Sequence, residues 1–311
     1  MIVKYNVPVY DICWLNHAEG GIIGKYYEPE SLEELKCLCK SLIEERIAFD
    51  IVGHTSNIYF MPNYNVDIMV STRKVRNISI TNNYIIADCG VSVKQLSKRM
   101  VDEGIIGFDG LVDLPGTVAA SVYGNSSCYG CSINSLLVSI EVLTPSGDVL
   151  NYSPDDLKMT ERSTALKRGE LKGVILSVKL RKVLGDIDDI KKRAKKNHEH
   201  RLVSQPGPKD NLGSIYFSSS EMTIYSFIPR ILSNLYGIML KLFSRDDDIK
   251  RRKLNVMLYI LGAKELIPYV YGWNRYLWKD EKSHALFWEF HKLHKRLFKE
   301  SNFEIEIRGK K

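Results

Sequence analysis

Two stretches of the 311-residue chain carry residue types that suit a bound anion. Gly53-His54-Thr55-Ser56-Asn57 follows the apolar run Phe49-Asp50-Ile51-Val52. Glycine lets a main chain approach a charged group closely, and successive N–H groups in a tight turn form a concave site for phosphate oxygens. The second stretch runs from Gly107 to Gly130 and centres on Pro115-Gly116-Thr117-Val118-Ala119-Ala120-Ser121-Val122-Tyr123-Gly124-Asn125. Its small residues would let a flat, charged ligand lie against the backbone. Strand-end turns and close backbone packing use the same residues, so composition leaves both readings open. Neither stretch is a GxxxxGK[ST] loop or a GxGxxG turn.

Cysteine and histidine spacing offers little to a metal. Cys128-x-x-Cys131 has no second pair and no histidine at ligand spacing. Cys37-x-Cys39 falls in an expected helix, which points the two thiols apart. His284, His291 and His294 recur at helical spacing, which more often means core packing than ligation. His198-x-His200 lies in a charged run and reads as solvated. No metal site is expected.

The elements that must position these stretches follow from the patterning. Residues 29–49 read as an amphipathic helix opened by Pro29 and Ser31, with Leu32, Leu35, Leu38 and Leu42 on one face. Strands are predicted at Asp67–Ser71, Ile78–Thr81 and Tyr84–Cys89, the last two joined at Asn82-Asn83 as a hairpin. Val93–Glu103 reads as a second helix, residues 137–150 as a hairpin around Pro145-Ser146-Gly147, and Val174–Lys182 as a strand. A linker is expected near 184–213, ending in the turn formers GPKDNLG. Beyond it, Ile224–Phe243 and Ala285–Phe298 read as helices and Phe303–Arg308 as a short strand. This order argues α+β rather than a regular α/β alternation.

Composition bounds the function class. The chain is 44% hydrophobic and 26% charged, ordinary values for a folded protein of two or three domains. No segment reaches the roughly 18 uncharged apolar residues of a membrane span, and the N-terminus lacks the pattern of a secretory signal. Six cysteines without such a signal suit reduced thiols, so a cytoplasmic location is expected. The net charge of +7 is uneven: residues 181–311 hold 27 Lys and Arg against 16 Asp and Glu, whereas residues 1–180 are mildly acidic. The basic part is expected to face an anion, yet no nucleic-acid module is present, so no nucleic-acid partner is expected. The basic and aromatic stretch 218–300 suggests peripheral membrane contact or a lipid-linked sugar.

Taken in order, GHTSN at 53–57, LPGTVAASVYGN at 114–125, Tyr129-Gly130, Arg162 within TERST, Gly213-Ser214 and Glu306-Ile307-Arg308 resemble one family. They are similar to the motifs of the UDP-N-acetylenolpyruvoylglucosamine reductases, within the vanillyl-alcohol-oxidase, or PCMH-type, FAD-binding superfamily. Asn16-His17 and Gly24 look like the family's N-terminal element. The resemblance implies an α+β fold, with a two-lobed PCMH-type FAD-binding domain and a smaller C-terminal α+β substrate domain. The lobes would span residues 1–75 and 76–200, and the substrate domain 201–311, its terminal strand 303–308 returning to the active site.

What the resemblance implies for chemistry is specific. FAD, bound non-covalently, would contact Gly53, His54, Thr55, Ser56, Asn57, Pro115, Gly116, Thr117, Val118, Asn125, Gly130 and Ile133. NADPH or NADH would serve as electron donor, and an enolpyruvyl sugar, nucleotide- or lipid-linked, would be reduced to a lactyl ether in peptidoglycan or surface-polysaccharide synthesis. Arg162 would stabilise the charge developing beside the substrate carboxylate, Ser214 would donate the proton, and Glu306 would assist at the same centre. The alternatives are an FAD-dependent sugar oxidase of the same superfamily and a non-catalytic flavin-fold binding protein. The chain departs from the family where Glu161 replaces a tyrosine, His54 a glycine, and Ile215-Tyr216-Phe217-Ser218-Ser219 the family's F-x-K-N-P. Phe217 thus stands where a phosphate-binding lysine is expected, which puts a different sugar carrier in prospect.

Overall fold

The computed structural model describes residues 1–207, 209–217, 221–243 and 248–309, so Ser218 and Ser219 of the divergent segment lie outside the described residues. In chain order the elements are β1 (Ile2–Pro8), β2 (Ile22–Glu28), α1 (Leu32–Glu44), β3 (Asp50–Val52), β4 (Ile58–Phe60) and β5 (Val66–Ser71). Next come β6 (Ile78–Ile80), β7 (Tyr84–Asp88), α2 (Val93–Asp102), α3 (Val118–Tyr123), β8 (Ser127–Cys128), β9 (Cys131–Ser132) and α4 (Ile133–Leu136). They are followed by β10 (Leu137–Leu143), β11 (Val149–Tyr152), β12 (Val174–Arg181) and α5 (Ile187–Ser204). The chain ends with α6 (Phe227–Phe243), α7 (Ile249–Ile260), β13 (Val270–Gly272), β14 (Arg275–Tyr276), α8 (Ser283–Leu297) and β15 (Glu306–Arg308). The fold is α+β.

Two compact units divide the chain. The first comprises Met1–Ile12, Gly20–Ser56 and Asn63–Gln205; the second comprises Cys13–Glu19, Asn57–Pro62 and Pro206–Lys311. In the first unit one sheet has the order β1-β2-β5-β3, antiparallel only between β1 and β2. A second sheet, β11-β10-β12-β7-β6, is antiparallel throughout. Ser31 accepts from the Glu34 N–H and so starts α1, whose Leu35, Cys39 and Leu42 close over Ile68 and Val70. Ser92 caps α2 in the same way, and Leu96 and Met100 pack with Ile85 and Val178. Residues 2–71 build the first sheet and residues 78–181 the second.

The expected linker is largely a helix. Asp186 accepts from the Asp189 N–H and begins α5, which runs eighteen residues and buries Ile190 and Ala194 in the core around α2. Its stripe is only two apolar side chains wide, so the charged surface outweighs it in a hydropathy reading. The unit boundary falls after Gln205, just before the turn-forming part of that segment.

The second unit folds around α8. Phe287, Phe290, Leu293 and Leu297 face inward and meet Tyr59, Tyr216, Tyr276 and Trp278, all buried. Edge-on and tilted ring contacts at centroid separations of 5.0–5.7 Å link Trp278 to Tyr276, Phe287 and Tyr59. The expected terminal strand is shorter than 303–308: β15 pairs in parallel with β4 over three residues, while Phe303 bridges to Tyr216.

Candidate functional site

The first turn is held open by its own surroundings. Thr55 sits in the left-handed region at φ +58°, and its hydroxyl donates to the carbonyl of His54 at 2.7 Å. Arg73, twenty residues on, donates from Nε to the Gly53 carbonyl at 2.8 Å and from its terminal nitrogens to Ile12 O and Thr55 Oγ1. A left-handed non-glycine residue costs about 1–2 kcal/mol, which these bonds offset. Burial, then the Arg73 charge, lowers the His54 pKa, so the imidazole adds no positive charge at neutral pH. The backbone N–H groups of His54, Thr55 and Ser56 meet no acceptor among the described residues. That is an anion-binding arrangement.

The second turn meets the first. A Cβ at Gly53 would stand 2.7 Å from Thr117 Oγ1, and one at Gly116 would stand 3.3 Å from Ser56 Oγ. Gly116 has φ +115°, and Thr117 caps α3 by accepting from the Ala120 N–H. Val118 and Ile133 are fully in the core, their N–H groups donating to Val91 O and Ser126 O, so these two shape the turn from within. Pro115 is half-buried between Leu114 and Gly116, and Gly130 at φ +78° has open space where a Cβ would be. Asn125 is buried at φ +42°. Its Nδ2 donates to Thr160 O at 2.6 Å, while its Oδ1 finds no donor.

Helix α5 straps the same turn. Asp109 accepts from Arg193 Nε at 3.1 Å, and its backbone carbonyl accepts from Asn197 Nδ2 at 3.2 Å. His198 pairs with Asp113 at 2.7 Å, and His200 lies edge-on to Tyr129. The two histidines are exposed as expected, but partnered. Arg73 and α5 both escaped the sequence reading, because each acts across more than fifteen residues on a turn with no local mark of it.

Of the three residues given catalytic roles, Arg162 belongs to the first unit and Ser214 and Glu306 to the second. Arg162 is half-buried at φ +55° in a tight turn closed by the Thr160–Ser163 bridge. Asn125 and Thr164, the latter donating to Tyr123 O at 2.8 Å, tie that turn to the second glycine-rich stretch. Ser214 follows Gly213, whose φ of +78° and N–H bond to Asn211 Oδ1 at 2.7 Å set a left-handed turn. Glu306 lies opposite Ile58, donates its N–H to Asn57 O at 2.9 Å, and accepts from Arg308 Nε at 2.8 Å. The final strand therefore brings Glu306 beside Asn57, the last residue of the first motif.

Residues 24–153 match the model of an FAD-binding-domain family. The UDP-N-acetylenolpyruvoylglucosamine reductase of Carboxydothermus hydrogenoformans is 27% identical over 198 residues, covering 63% of this chain and 65% of that protein. The Clostridium tetani protein of the same name is 28% identical over 63% of this chain and 64% of its own length. The chain thus spans slightly under two thirds of the curated relatives it matches. In structure, UDP-N-acetylenolpyruvylglucosamine reductase from Thermus caldophilus superposes with a TM-score of 0.69 at 17% identity, covering 99% of this chain and all of the other. The chain carries an FAD-binding domain and is similar to the UDP-N-acetylenolpyruvoylglucosamine reductases in sequence and in fold.

Proposed function

We propose that the protein is an FAD-dependent oxidoreductase that reduces an enolpyruvyl sugar to its lactyl ether with NADPH or NADH, in peptidoglycan or surface-polysaccharide synthesis in the cytoplasm. The reading assigns the two sheets of the first unit to the two lobes of the FAD-binding domain, and the second unit to the substrate. The observation that carries it is the meeting of the two small-residue turns inside the matched domain, each with polar groups left for a ligand.

FAD suits these residues. The close approach of Gly53 to Thr117 leaves no room for side chains, the N–H groups of His54 to Ser56 can donate to pyrophosphate oxygens, and Asn125 Oδ1 is a buried acceptor. Arg73 fixes the turn and adds a positive charge beside it. Bound FAD supplies hydride transfer between a nicotinamide and a carbon centre. The Arg162 guanidinium can grip a carboxylate in two places, which suits the negative charge that builds up as the alkene accepts hydride. The Ser214 hydroxyl would pass its proton to the adjacent carbon. Glu306, its rotamer fixed by Arg308, would hold that hydroxyl or the substrate in register. The relatives' names support a UDP carrier, whereas Phe217 in place of the family lysine favours other contacts to the carrier.

An anaerobic titration tests the reading. A nicotinamide should bleach the bound flavin without sugar, and an enolpyruvyl sugar, with UDP-N-acetylglucosamine enolpyruvate as first probe, should restore the colour. If a plain sugar bleaches the flavin and neither nicotinamide does, the protein is an oxidase.

A further inference from the structure

Helix α6 is amphipathic the wrong way round for a helix that serves a core. In the stretch from Ile224 to Lys241, Ser226, Pro229, Ser233 and Gly237 are the buried residues. Outward stand Ile224, Phe227, Ile228, Ile231, Leu235 and Ile238, with Ile224 the most exposed at 81%. The small inward residues let α6 lie close against α7: a Cβ at Gly237 would meet Lys253 Cδ at 2.6 Å. The helix therefore spends its small residues on its neighbour and leaves its large apolar ones in water. Something covers that face.

We propose that α6 is an interfacial helix by which the protein binds the surface of an anionic lipid bilayer. Width is the first argument. Leu232 and Met239, also exposed, extend the apolar arc of α6 to about 140° at 100° per residue, far broader than the seam of a paired coiled coil. Charge is the second. From Ile224 to Phe243 there is no acidic residue, and Arg230 and Lys241, both exposed, lie together on one border of the arc. Helix α7 then opens with Lys250-Arg251-Arg252-Lys253. The described residues among 223–253 hold six Lys and Arg against one Asp. Two copies of the helix laid face to face would bring cationic borders near one another, whereas anionic headgroups complement them. Among the described residues no helix is long and apolar enough to cross a membrane, so α6 lies in the interface rather than spanning it.

Sedimentation of the full-length, flavin-loaded protein with vesicles tests this without reference to catalysis. The protein should pellet with phosphatidylglycerol-rich vesicles, much less with phosphatidylcholine alone, and added salt should weaken the binding. Ile228→Glu with Leu235→Glu should raise the lipid concentration for half-binding by about tenfold or more, with flavin content and far-ultraviolet dichroism unchanged. Arg230→Gln with Lys241→Gln should raise it roughly fivefold per cation removed. Should the Glu variant misfold, Ile228→Ala with Leu235→Ala provides the same comparison. No pelleting with anionic vesicles, or equal pelleting with both lipids, overturns the proposal. So does light scattering that shows a vesicle-free dimer, dissolved by Leu235→Glu, with no vesicle binding.

Discussion

Gly116 carries two constraints that no other residue type meets. Its φ of +115° belongs to a region open essentially to glycine, which costs a side chain about 1–3 kcal/mol, and its missing Cβ faces Ser56 Oγ at 3.3 Å. Gly53 is tighter still, since the atom it would strike is a hydroxyl on the β-branched Thr117, itself fixed as a helix cap. Any added side chain at either position pushes the turns apart or fills the gap between them. Gly116→Val should therefore purify with less than about a tenth of the FAD per chain, a loss of more than 1.4 kcal/mol at concentrations near the dissociation constant. Absorbance at the flavin band after gel filtration reads this directly. Full yellow occupancy would move the cofactor away from these turns. Arg162 shows how residue identity and residue role separate: the sequence marks it only through its place in an ordered motif series. The φ of +55° and the anchoring of its turn by Asn125 and Thr164 are visible only in three dimensions.

Among the elements, α5 has the largest consequence for its size, because it ties down the turn from Asp109 to Tyr129. Its bonds differ in worth. His198–Asp113 has an exposed member, and such pairs contribute about 0–1 kcal/mol. Asp109 is buried to 6% exposure and accepts from Arg193 and lies near Cys131, so Asp109→Ala leaves those groups without their partner. We expect Asp109→Ala to destabilise by about 1–3 kcal/mol and to loosen FAD, and His198→Ala to cost under about 1 kcal/mol with FAD affinity unchanged. Urea unfolding with a flavin titration of each variant separates the two. The same helix explains what could be read in advance. Helices α1, α2 and α8 and the hairpins β6–β7 and β10–β11 were legible because each buries a clear periodic face. In contrast, α5 buries two residues, α7 hides its apolar positions behind four consecutive cations, and β1 exposes most of its length. Short β4 owes its form to β15, a partner distant in the chain that local pattern does not encode, while β13 and β14 are three and two residues long and pair with one another.

For the molecule as a whole, the two units carry separate reporters and separate acid sensitivities. All four tryptophans, Trp14, Trp273, Trp278 and Trp288, belong to the second unit, while flavin bound at the turns reports on the first. The second unit also holds three buried histidines on α8. His284 bonds Tyr59 OH at 3.0 Å and His17 O at 3.1 Å, His291 bonds Tyr216 OH at 3.2 Å, and His294 bonds Ser301 Oγ at 2.6 Å. They are core histidines with polar partners. Burial lowers the pKa of His284, and burial together with the nearby His291 lowers that of His294 to about 4. The unfolded chain takes up these protons near pH 6.5 while the folded unit resists them, His294 until about pH 4, so stability is full above pH 6.5 and drains as pH falls below it. Each such histidine contributes a slope of at most about 1.4 kcal/mol per pH unit. Tryptophan emission should therefore report a urea midpoint that drops between pH 7 and pH 5, and His294→Gln should flatten the drop while lowering the pH 7 midpoint. A wild-type midpoint independent of pH across this range would show that His284 and His294 protonate in place.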